Sequence, residues 1–412
     1  MKIINLTDVQ FDEYSKNHPL HTYFQTSAYA KVMNKCGYGI KFWGFMEKDN
    51  MIGAAMILCG KLFANYKYAY SPRGMLINYV NEEEVRIITS AVKNSLAHEG
   101  FVFLKIDPPI MDYKHDQDGN VIAKANVSSH QILLKNNYTH FGNNLFFETL
   151  KPRWNAIINL SEEKPTVLDS FNKSTRNKIK KATSRGIDVT KLDVNSLPRF
   201  YNFVAKKHYR RINYYSDMCA FFGDNFEMYV AQLDTNSYLK SVQKIYDKGQ
   251  AKNEELNYKI QTIPNNSDLI TRKMESDKII NANKEELKKA TDLLAKFPDM
   301  LDIGAIAIIK TPKVIYLLID GFDKSYSLIY PSFYLKWFII DKYVSLGYKV
   351  FNLNGISGEF NKINKFSGLT DMKLGFNAEV CEYIGEYDLI INPTIYKLHA
   401  KTGNAIMKKN YK

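Results

Sequence analysis

The segment 236–297 decides how the rest of the chain is organised, and it reads NSYLKSVQKIYDKGQAKNEELNYKIQTIPNNSDLITRKMESDKIINANKEELKKATDLLAKF. Apolar side chains recur three or four positions apart on both sides of 263–267, where a proline and two asparagines interrupt the pattern. The spacing predicts an antiparallel helical hairpin, a coiled-coil arm of about 25 residues per helix that reaches about 40 Å. The recurring residues are Leu239, Val242, Tyr246, Leu256, Ile260, Ile270, Met274, Ile280, Leu287 and Leu294.

The exposed faces of this predicted arm are crowded with lysine and glutamate. Such a surface is typical of a solvated arm that binds nothing. It equally suits an arm that touches a large, charged partner. The sequence leaves both interpretations open.

The chain has 412 residues, more than one hydrophobic core usually serves, so two domains and an insertion are expected. Its 45% hydrophobic and 13% aromatic residues exclude global disorder. The formal net charge of +13 favours a polyanionic partner, namely a nucleic acid, an anionic membrane surface or a phosphorylated substrate. The alternative is a lysine-rich protein whose charge only keeps it in solution.

The four cysteines stand far apart without a CxxC pair, so neither a disulfide framework nor a zinc site is expected. The first residues lack the apolar stretch of a signal peptide, and no segment approaches the about 20 apolar residues of a membrane span. We therefore expect a soluble cytoplasmic protein whose membrane contact, if any, is peripheral. A weak membrane-surface contact is one interpretation of the tail 393–412, and an ordinary terminal helix is the other.

Strand and helix patterns alternate on both sides of the arm, which predicts the α/β class. In each flanking lobe a strand hairpin precedes a helix and then a short strand that ends in a polar loop, at 106–108 and at 353–355. This likeness suggests an internal duplication. In the second lobe, the segments 197–211 and 225–233 are predicted as further helices.

Several common signatures of enzyme chemistry are missing from the sequence. It has no HExxH, no HxxxD, no Walker A loop, no GxSxG elbow and no Rossmann glycine fingerprint. The lobes resemble acetyltransferase units, but no glycine-rich pyrophosphate loop opens a helix, which disfavours acetyl-CoA. An enzyme of this kind would need an acyl donor that it binds in another way.

Eight short strings carry a resemblance to a known family. Each string is weak alone, but eight in this order along nearly the whole chain are a strong signal. They are FQTSAYA (24–30), YSPRG (70–74), KIDP (105–108), RNKIKKA (176–182), YP (330–331), FNLNGISG (351–358), MKLGFNAE (372–379) and EYIGEYDL (382–389). Together they make the chain similar to the Fem family of aminoacyltransferases, which build the interpeptide bridges of peptidoglycan.

The resemblance implies two acetyltransferase-like (GNAT-like) subdomains: residues 1–151, completed by 386–412, and residues 152–235 with 298–385, around the arm at 236–297. It implies transfer of Gly, Ala or Ser from an aminoacyl-tRNA to the stem-peptide amine of lipid II or UDP-MurNAc-pentapeptide. Both partners are polyanions, in keeping with the net charge of +13. No metal or organic cofactor is implied.

The resemblance also assigns two residues to the chemistry. Lys373 matches the lysine of the family's Phe-Lys-x-x-Phe motif, with Met372 in place of the first Phe. It would bind the aminoacyl end or stabilise the oxyanion that forms during aminolysis. Asp107 would accept or orient the proton of the acceptor amine. An Asp-Pro pair at a strand end also suits a structural turn, so Asp107 keeps two interpretations.

Further residues are implied in substrate binding. Arg211 stands where the family often has an arginine after a helix, and would grip a diphosphate. Lys31 or Lys35 would replace a phosphate-binding lysine whose place is taken by Met33. The segment 317–322 replaces the family's Tyr-x-Gly-x-Ser stretch, which is expected to alter acceptor or amino-acid choice. The remaining candidates are Tyr215, Tyr316, Arg73 and Asn354 for the substrate, and Lys178, Lys180 and Lys181 for tRNA.

Two other functions stay open at this point. One is a tRNA-dependent aminoacyltransferase that acts on a lipid or protein amine, although lipid modifiers commonly carry membrane spans. The other is a non-catalytic RNA- or partner-binding module, which leaves the motifs around Asp107 and Lys373 unexplained.

Overall fold

The computed structural model describes residues 1–63, 65–125, 128–161, 163–207, 210–361 and 363–401. The strands are β1 (Lys2–Asn5), β2 (Gly39–Glu47), β3 (Asn50–Lys61), β4 (Lys67–Ser71), β5 (Phe101–Ile106), β6 (Met111–His115), β7 (Val121–Lys124), β8 (Tyr138–His140), β9 (Trp154–Asn159), β10 (Ile187–Leu192), β11 (Phe226–Asp234), β12 (Met300–Lys310), β13 (Val314–Phe322), β14 (Val350–Gly355), β15 (Glu379–Tyr383) and β16 (Tyr387–Ile390). The α-helices are α1 (Asp8–Asn17), α2 (Ser27–Lys35), α3 (Glu82–His98), α4 (Ser128–Lys135), α5 (Lys164–Ser170), α6 (Lys173–Ser184), α7 (Leu197–Val204), α8 (Ile212–Phe222), α9 (Thr235–Thr262), α10 (Ser267–Lys296), α11 (Pro331–Ser345), α12 (Ser367–Leu374) and α13 (Pro393–Lys401).

Two mixed sheets carry the fold. The first sheet has seven strands in the order β1–β2–β3–β4–β5–β16–β8, and the second has nine in the order β10–β11–β12–β13–β14–β9–β15–β6–β7. Each sheet contains a parallel pair, β4 with β5 and β13 with β14, whose strands are joined through α3 and α11 respectively. The order strand–strand–strand–helix–strand therefore occurs twice, in agreement with the likeness between the lobes seen in the sequence.

An apolar layer between the two sheets joins them, and we call it the shared core. Alternate residues of β3 and of β12 point into it, and α1, α2, α7 and α8 fill the space between the sheets. Neither sheet could bury its inner face without these helices. Residues of the shared core include Ala54, Met56 and Leu58 from β3, Ala305, Ala307 and Ile309 from β12, and Phe11, Met33, Phe200 and Met218 from the helices.

The outer face of each sheet is covered by its own helices. On the first sheet, Ala55 and Ile57 of β3 pack beneath α3 and α4. On the second, Ile306 and Ile308 of β12 pack beneath α5, α6 and α11. Because β3 and β12 are covered on both faces, their sequences are continuous apolar runs and lack the alternation of a half-buried strand.

Two helix predictions differ from the structure. The segment 225–233 forms the strand β11, which pairs with β10 and β12, instead of a helix, and most of its residues are buried. The helix lies just before it, as α8. A strand covered on both faces lacks two-residue alternation, so periodicity could not distinguish it from a buried helix. The helix predicted at 197–211 ends at Val204.

The strand pairing departs from the predicted boundaries in one place. β6 and β7, inside the segment 1–151, join the second sheet through β15. β16, inside 386–412, pairs with β5 and β8 in the first sheet, where the resemblance places it. Along the described strands, the chain thus crosses between the sheets after β5, β7, β8 and β15. The division into two subdomains stays a prediction.

The predicted helical hairpin is present as α9 and α10, and we call it the arm. Its helices contain 28 and 30 residues, which corresponds to about 42–45 Å at 1.5 Å per residue. The turn spans 263–266, where the apolar pattern breaks. Midway along, Asn253 Nδ2 donates to Asp277 Oδ1 at 2.9 Å and joins the two helices.

A buried ion pair fixes the base of the arm to α6. Arg185, just after α6, donates from Nε and Nη2 to the two carboxylate oxygens of Glu286 on α10, at 3.0 and 2.9 Å. The Arg185 side chain is 4% exposed and that of Glu286 22%. Tyr238 of α9 also donates its hydroxyl to Glu286, at 3.3 Å. The arm is therefore held in a defined orientation to α6.

Within the described residues, no helix has the length and apolarity that a membrane span requires. The described part of the tail is α13, which packs on the first sheet. The Tyr396 hydroxyl donates to Asp388 at 2.9 Å, and the His399 ring lies 5.3 Å from the Phe103 ring. Residues 402–412, which carry part of the predicted membrane contact, lie outside the described residues.

Removing the carboxylate at the base of the arm should destabilise the protein. Glu286→Ala leaves the Arg185 guanidinium buried without its partner, so we expect the free energy of unfolding to fall by about 3 kcal/mol. Urea denaturation followed by far-UV circular dichroism measures this. Glu255→Ala, on the exposed surface of α9, is the matched control and should have no measurable effect. Equal losses in both variants would contradict the assignment.

Candidate active site

A cleft of about 640 Å³ opens on the second sheet between α6, α11 and α12, and we call it the second-sheet cleft. Side chains from five parts of the fold converge on it. Its lining mixes charged and polar side chains with apolar ones such as Phe322, Leu369 and Met372, so it suits a ligand that carries both charged and apolar groups. The charged and polar lining residues include Thr175, Lys178, Lys207, Asp320, Ser332 and Asp371.

The basic helix α6 brings one predicted tRNA-binding residue to this cleft. Asn172 caps the helix, since its Oδ1 accepts from the Thr175 amide at 2.7 Å. One turn later Lys178 lines the cleft with its Nζ 4.5 Å from the centre of the Phe333 ring. Lys180 is exposed, and Lys181 lies beside the Tyr330 ring at the cleft rim, 5.8 Å away.

Lys373 is buried immediately behind the cleft wall. It follows Met372, which lines the cleft, and it is 6% exposed. Its Nζ donates to the carbonyl oxygen of Gly355 at 2.7 Å. Burial lowers the pKa of Lys373 to about 7, although nearby Asp320 opposes the shift. At neutral pH the amine is therefore present in both protonation states.

A second lysine is buried beside it, and sequence reasoning missed this one. Lys336 on α11 is 0% exposed and donates to Asp320 Oδ2 at 2.7 Å and to Ser332 Oγ at 2.8 Å. The sequence held two signals: a lysine inside the apolar helix 331–345, and a carboxylate in the stretch 317–322 that departs from the family pattern. Lys207, the other missed cation, comes from the segment after α7.

A smaller cleft of about 150 Å³ lies between the two sheets, and we call it the inter-sheet cleft. It brings together three residues predicted to bind substrate, namely Arg73, Tyr316 and Asn354. The first lobe also contributes the segment 19–24. Residues that sequence reasoning missed here are Tyr23, Asn155, Asn352 and Tyr383.

Arg73 forms one wall of the inter-sheet cleft in a strained conformation. Its φ is 52°, in the left-handed region that residues other than glycine rarely adopt. The guanidinium lies 5.0 Å from the Tyr383 ring centre, and Nη2 donates to the Pro152 carbonyl at 2.7 Å. Strained residues of this kind concentrate at functional sites.

Asp107 holds the Arg73 turn in place. Its Oδ1 accepts from the Arg73 amide at 2.6 Å and its Oδ2 from the Tyr70 hydroxyl at 3.2 Å. Burial raises the pKa of Asp107 to about 6, and the charge of Arg73 opposes the shift. Asp107 is 1% exposed and is not among the described residues that line either cleft. These contacts favour a structural role, in which Asp107 positions Arg73, over the role of a base.

The end of β14 lies at the inter-sheet cleft and contacts Lys373. Asn354, with a φ of 66°, lines the inter-sheet cleft, and its neighbour Gly355 accepts the hydrogen bond from Lys373. A Cβ on Gly355 would lie 2.4 Å from Pro152 Cγ, so this close approach requires glycine. The hydrogen bond to Gly355 thus links Lys373 to the strand end that lines the inter-sheet cleft.

The other predicted residues lie away from both clefts. Tyr215 is buried in the shared core, where it packs on the Phe200 ring. Arg211 is exposed at the start of α8, and Lys31 and Lys35 are exposed on α2. Met33, which replaces the expected lysine, belongs to the shared core. The phosphate-binding role of Lys31 or Lys35 stays a prediction.

Comparison with known proteins agrees with this architecture. Aminoacyltransferase FemA from Staphylococcus aureus (strain bovine RF122 / ET3-1) is 23% identical over 424 residues, which cover 96% of this chain and 97% of FemA. FemA from strain N315 matches with the same identity and coverage. The crystal structure of FemX superposes with a TM-score of 0.73 at 19% identity, over 97% of this chain and 99% of FemX.

The superposition on FemX confirms the predicted α/β fold. The family itself is shown by the match between residues 6–402, nearly the whole chain, and the FemAB family. The resemblance that the eight sequence strings carried is therefore correct, and the protein is a member of the FemAB family.

Proposed function

We propose that this protein is an aminoacyltransferase that moves an amino acid from an aminoacyl-tRNA to the stem-peptide amine of a peptidoglycan precursor. The acceptor is lipid II or UDP-MurNAc-pentapeptide, and the product extends an interpeptide bridge. Membership of the FemAB family and similarity to aminoacyltransferase FemA support the reaction class. The observation that carries the proposal is the position of Lys373, which lies behind the wall of the second-sheet cleft and donates to Gly355, the neighbour of Asn354 in the inter-sheet cleft.

The second-sheet cleft is the proposed donor site. Lys178 and Lys207 on its walls attract the phosphates at the 3′ end of tRNA. The Arg185–Glu286 pair fixes the arm to the same helix that carries Lys178. In the proposal the arm supports the body of the tRNA while its aminoacyl end lies in the cleft.

The inter-sheet cleft is the proposed entrance for the acceptor amine. Arg73 offers a guanidinium to a carboxylate or phosphate of the precursor, and Asn354 offers an amide at the strand end. Asp107 keeps Arg73 in its left-handed turn. Donor and acceptor thus approach Lys373 from opposite sides.

The chemistry is the aminolysis of an ester. The neutral acceptor nitrogen attacks the carbonyl carbon, a C–N bond forms, and the carbonyl oxygen gains negative charge. The ester C–O bond then breaks, and the leaving 3′-oxygen of tRNA takes the proton that the amine loses. The Lys373 ammonium, present at neutral pH because its pKa is about 7, stabilises the oxyanion in this scheme.

Reconstitution with purified components tests the proposed function. The protein is mixed with glycyl-, alanyl- or seryl-tRNA and either lipid II or UDP-MurNAc-pentapeptide, and mass spectrometry follows the acceptor. We expect one donor and acceptor pair to give a mass increase of one amino acid. Phosphatidylethanolamine, a lipid with a free amine, and a peptide with a free N-terminus serve as acceptor controls. Modification of either control in place of the precursor would overturn the proposal.

Lys373 should give the reaction a distinct pH dependence. The free acceptor amine becomes more abundant as pH rises, while the Lys373 ammonium is lost as pH passes through about 7. We expect kcat/KM to rise with pH and to level off above about pH 7. Lys373→Ala should lower kcat/KM about 100-fold. The kcat/KM of this variant should continue to rise with pH above pH 7. A bend near pH 7 that persists in the variant would exclude Lys373.

Asp107 variants should distinguish a positioning residue from a base. Asp107→Asn keeps an oxygen that accepts from the Arg73 amide, whereas Asp107→Ala removes it. If Asp107 positions Arg73, we expect the kcat/KM of Asp107→Asn to stay within about fivefold of wild type and that of Asp107→Ala to fall about 100-fold. Equal, large losses in both variants would identify Asp107 as the base.

A further inference from the structure

The carboxylate of Asp320 lines the second-sheet cleft, and its Oδ2 has hydrogen-bond partners within the protein. Its Oδ2 accepts from the Ser332 hydroxyl at 2.6 Å and from Lys336 Nζ at 2.7 Å. Lys336 also donates to Ser332 Oγ at 2.8 Å and to Ser332 O at 3.4 Å, so all three of its protons are directed. One carboxylate oxygen is therefore fixed from behind.

The other oxygen of Asp320 faces a loosely placed cation. Among the described residues, the ion-pair partner of Oδ1 is Lys207, 4.0 Å away, whose side chain is 49% exposed. The Asp320 side chain itself is 14% exposed, and it lines the cleft. A distance of 4.0 Å exceeds that of a hydrogen bond, so a ligand ammonium can bind Oδ1 at closer range.

The carboxylate is ionised and rigidly placed. Burial raises its pKa, but Lys336, Lys207 and Ser332 outweigh burial and hold the pKa of Asp320 well below its usual range. Next to it, a Cβ on Gly321 would lie 2.1 Å from the Phe203 carbonyl oxygen. The backbone of β13 is thus packed closely against the end of α7 beside Asp320.

We propose that Asp320 binds the α-ammonium group of the amino acid carried by the donor and selects esters that have a free amine. This inference rests on the proposed function and deepens it. The α-amine of an amino acid is largely protonated at neutral pH. Lys178 and Lys207 line the cleft and repel such a cation, whereas Asp320 attracts it. An ammonium held this way has no lone pair, so the donor's own amine cannot act as the attacking nucleophile.

The test compares two stable donor analogues that differ at one group. Short RNAs end in 3′-amino-3′-deoxyadenosine acylated with either alanine or lactic acid, so that a hydroxyl replaces the ammonium. We expect wild type to bind the alanyl RNA about 10- to 100-fold more tightly, as a hydrogen bond to a charged group implies. Asp320→Asn should abolish this preference.

Two further variants make the result decisive. Asp371→Asn removes the same charge from an exposed carboxylate on the same cleft, and the alanyl-to-lactoyl ratio should persist. Asp320→Asn leaves the Lys336 ammonium buried without its carboxylate, which can prevent folding. In that case the double variant Asp320→Asn, Lys336→Met, which removes both charges, is measured in place of the single variant. A preference that survives in the folded Asp320 variant would overturn the inference.

The outcomes also separate this inference from the proposed function. Wild type that transfers amino acids but binds both RNAs equally would overturn the role of Asp320 alone. Wild type that binds neither RNA and modifies no precursor would overturn the proposed function. Wild type that prefers the alanyl RNA, with the preference lost at Asp320→Asn and retained at Asp371→Asn, would support both.

Discussion

The apolar layer between the two sheets is the constraint on which the rest of the structure depends. Both sheets and four helices bury side chains in it, so the lobes cannot be packed independently. Its polar rim becomes the inter-sheet cleft. Tyr23 belongs to the shared core and also lines that cleft, where its ring lies 5.1 Å from the ring of Tyr316. The packing that joins the sheets thereby sets the spacing of groups from both lobes.

Two buried lysines of the second lobe, Lys336 and Lys373, differ in their hydrogen-bond partners. Lys336 has a carboxylate and a hydroxyl as hydrogen-bond partners, whereas Lys373 donates to a backbone carbonyl. A carboxylate stabilises a buried ammonium far better than a carbonyl does. Burial lowers the pKa of both lysines, and it lowers that of Lys373 to about 7. One lysine serves a fixed ion pair that orients Asp320, and the other can change its protonation state near neutral pH.

The arm, the strand hairpins and Lys373 were accessible from sequence because each leaves a local pattern. Three-and-four spacing marked the arm on both sides of the turn at 263–266. The strand β11 left no such pattern, because both of its faces are buried and apolar and polar residues therefore do not alternate along it. Asp320 and Lys336 also escaped, because their pairing depends on the crossover from β13 through α11.

The sequence by itself determined the family, the α/β class, the arm and the basic character, because these follow from local periodicity, composition and the order of short motifs. Only the tertiary structure decided which candidates meet. It gathered Arg73, Tyr316 and Asn354 in one cleft, left Arg211 on the surface and placed Tyr215 in the core. The physical reason is that a binding site depends on distances across sheets and helices. Packing fixes those distances, and no local pattern encodes them.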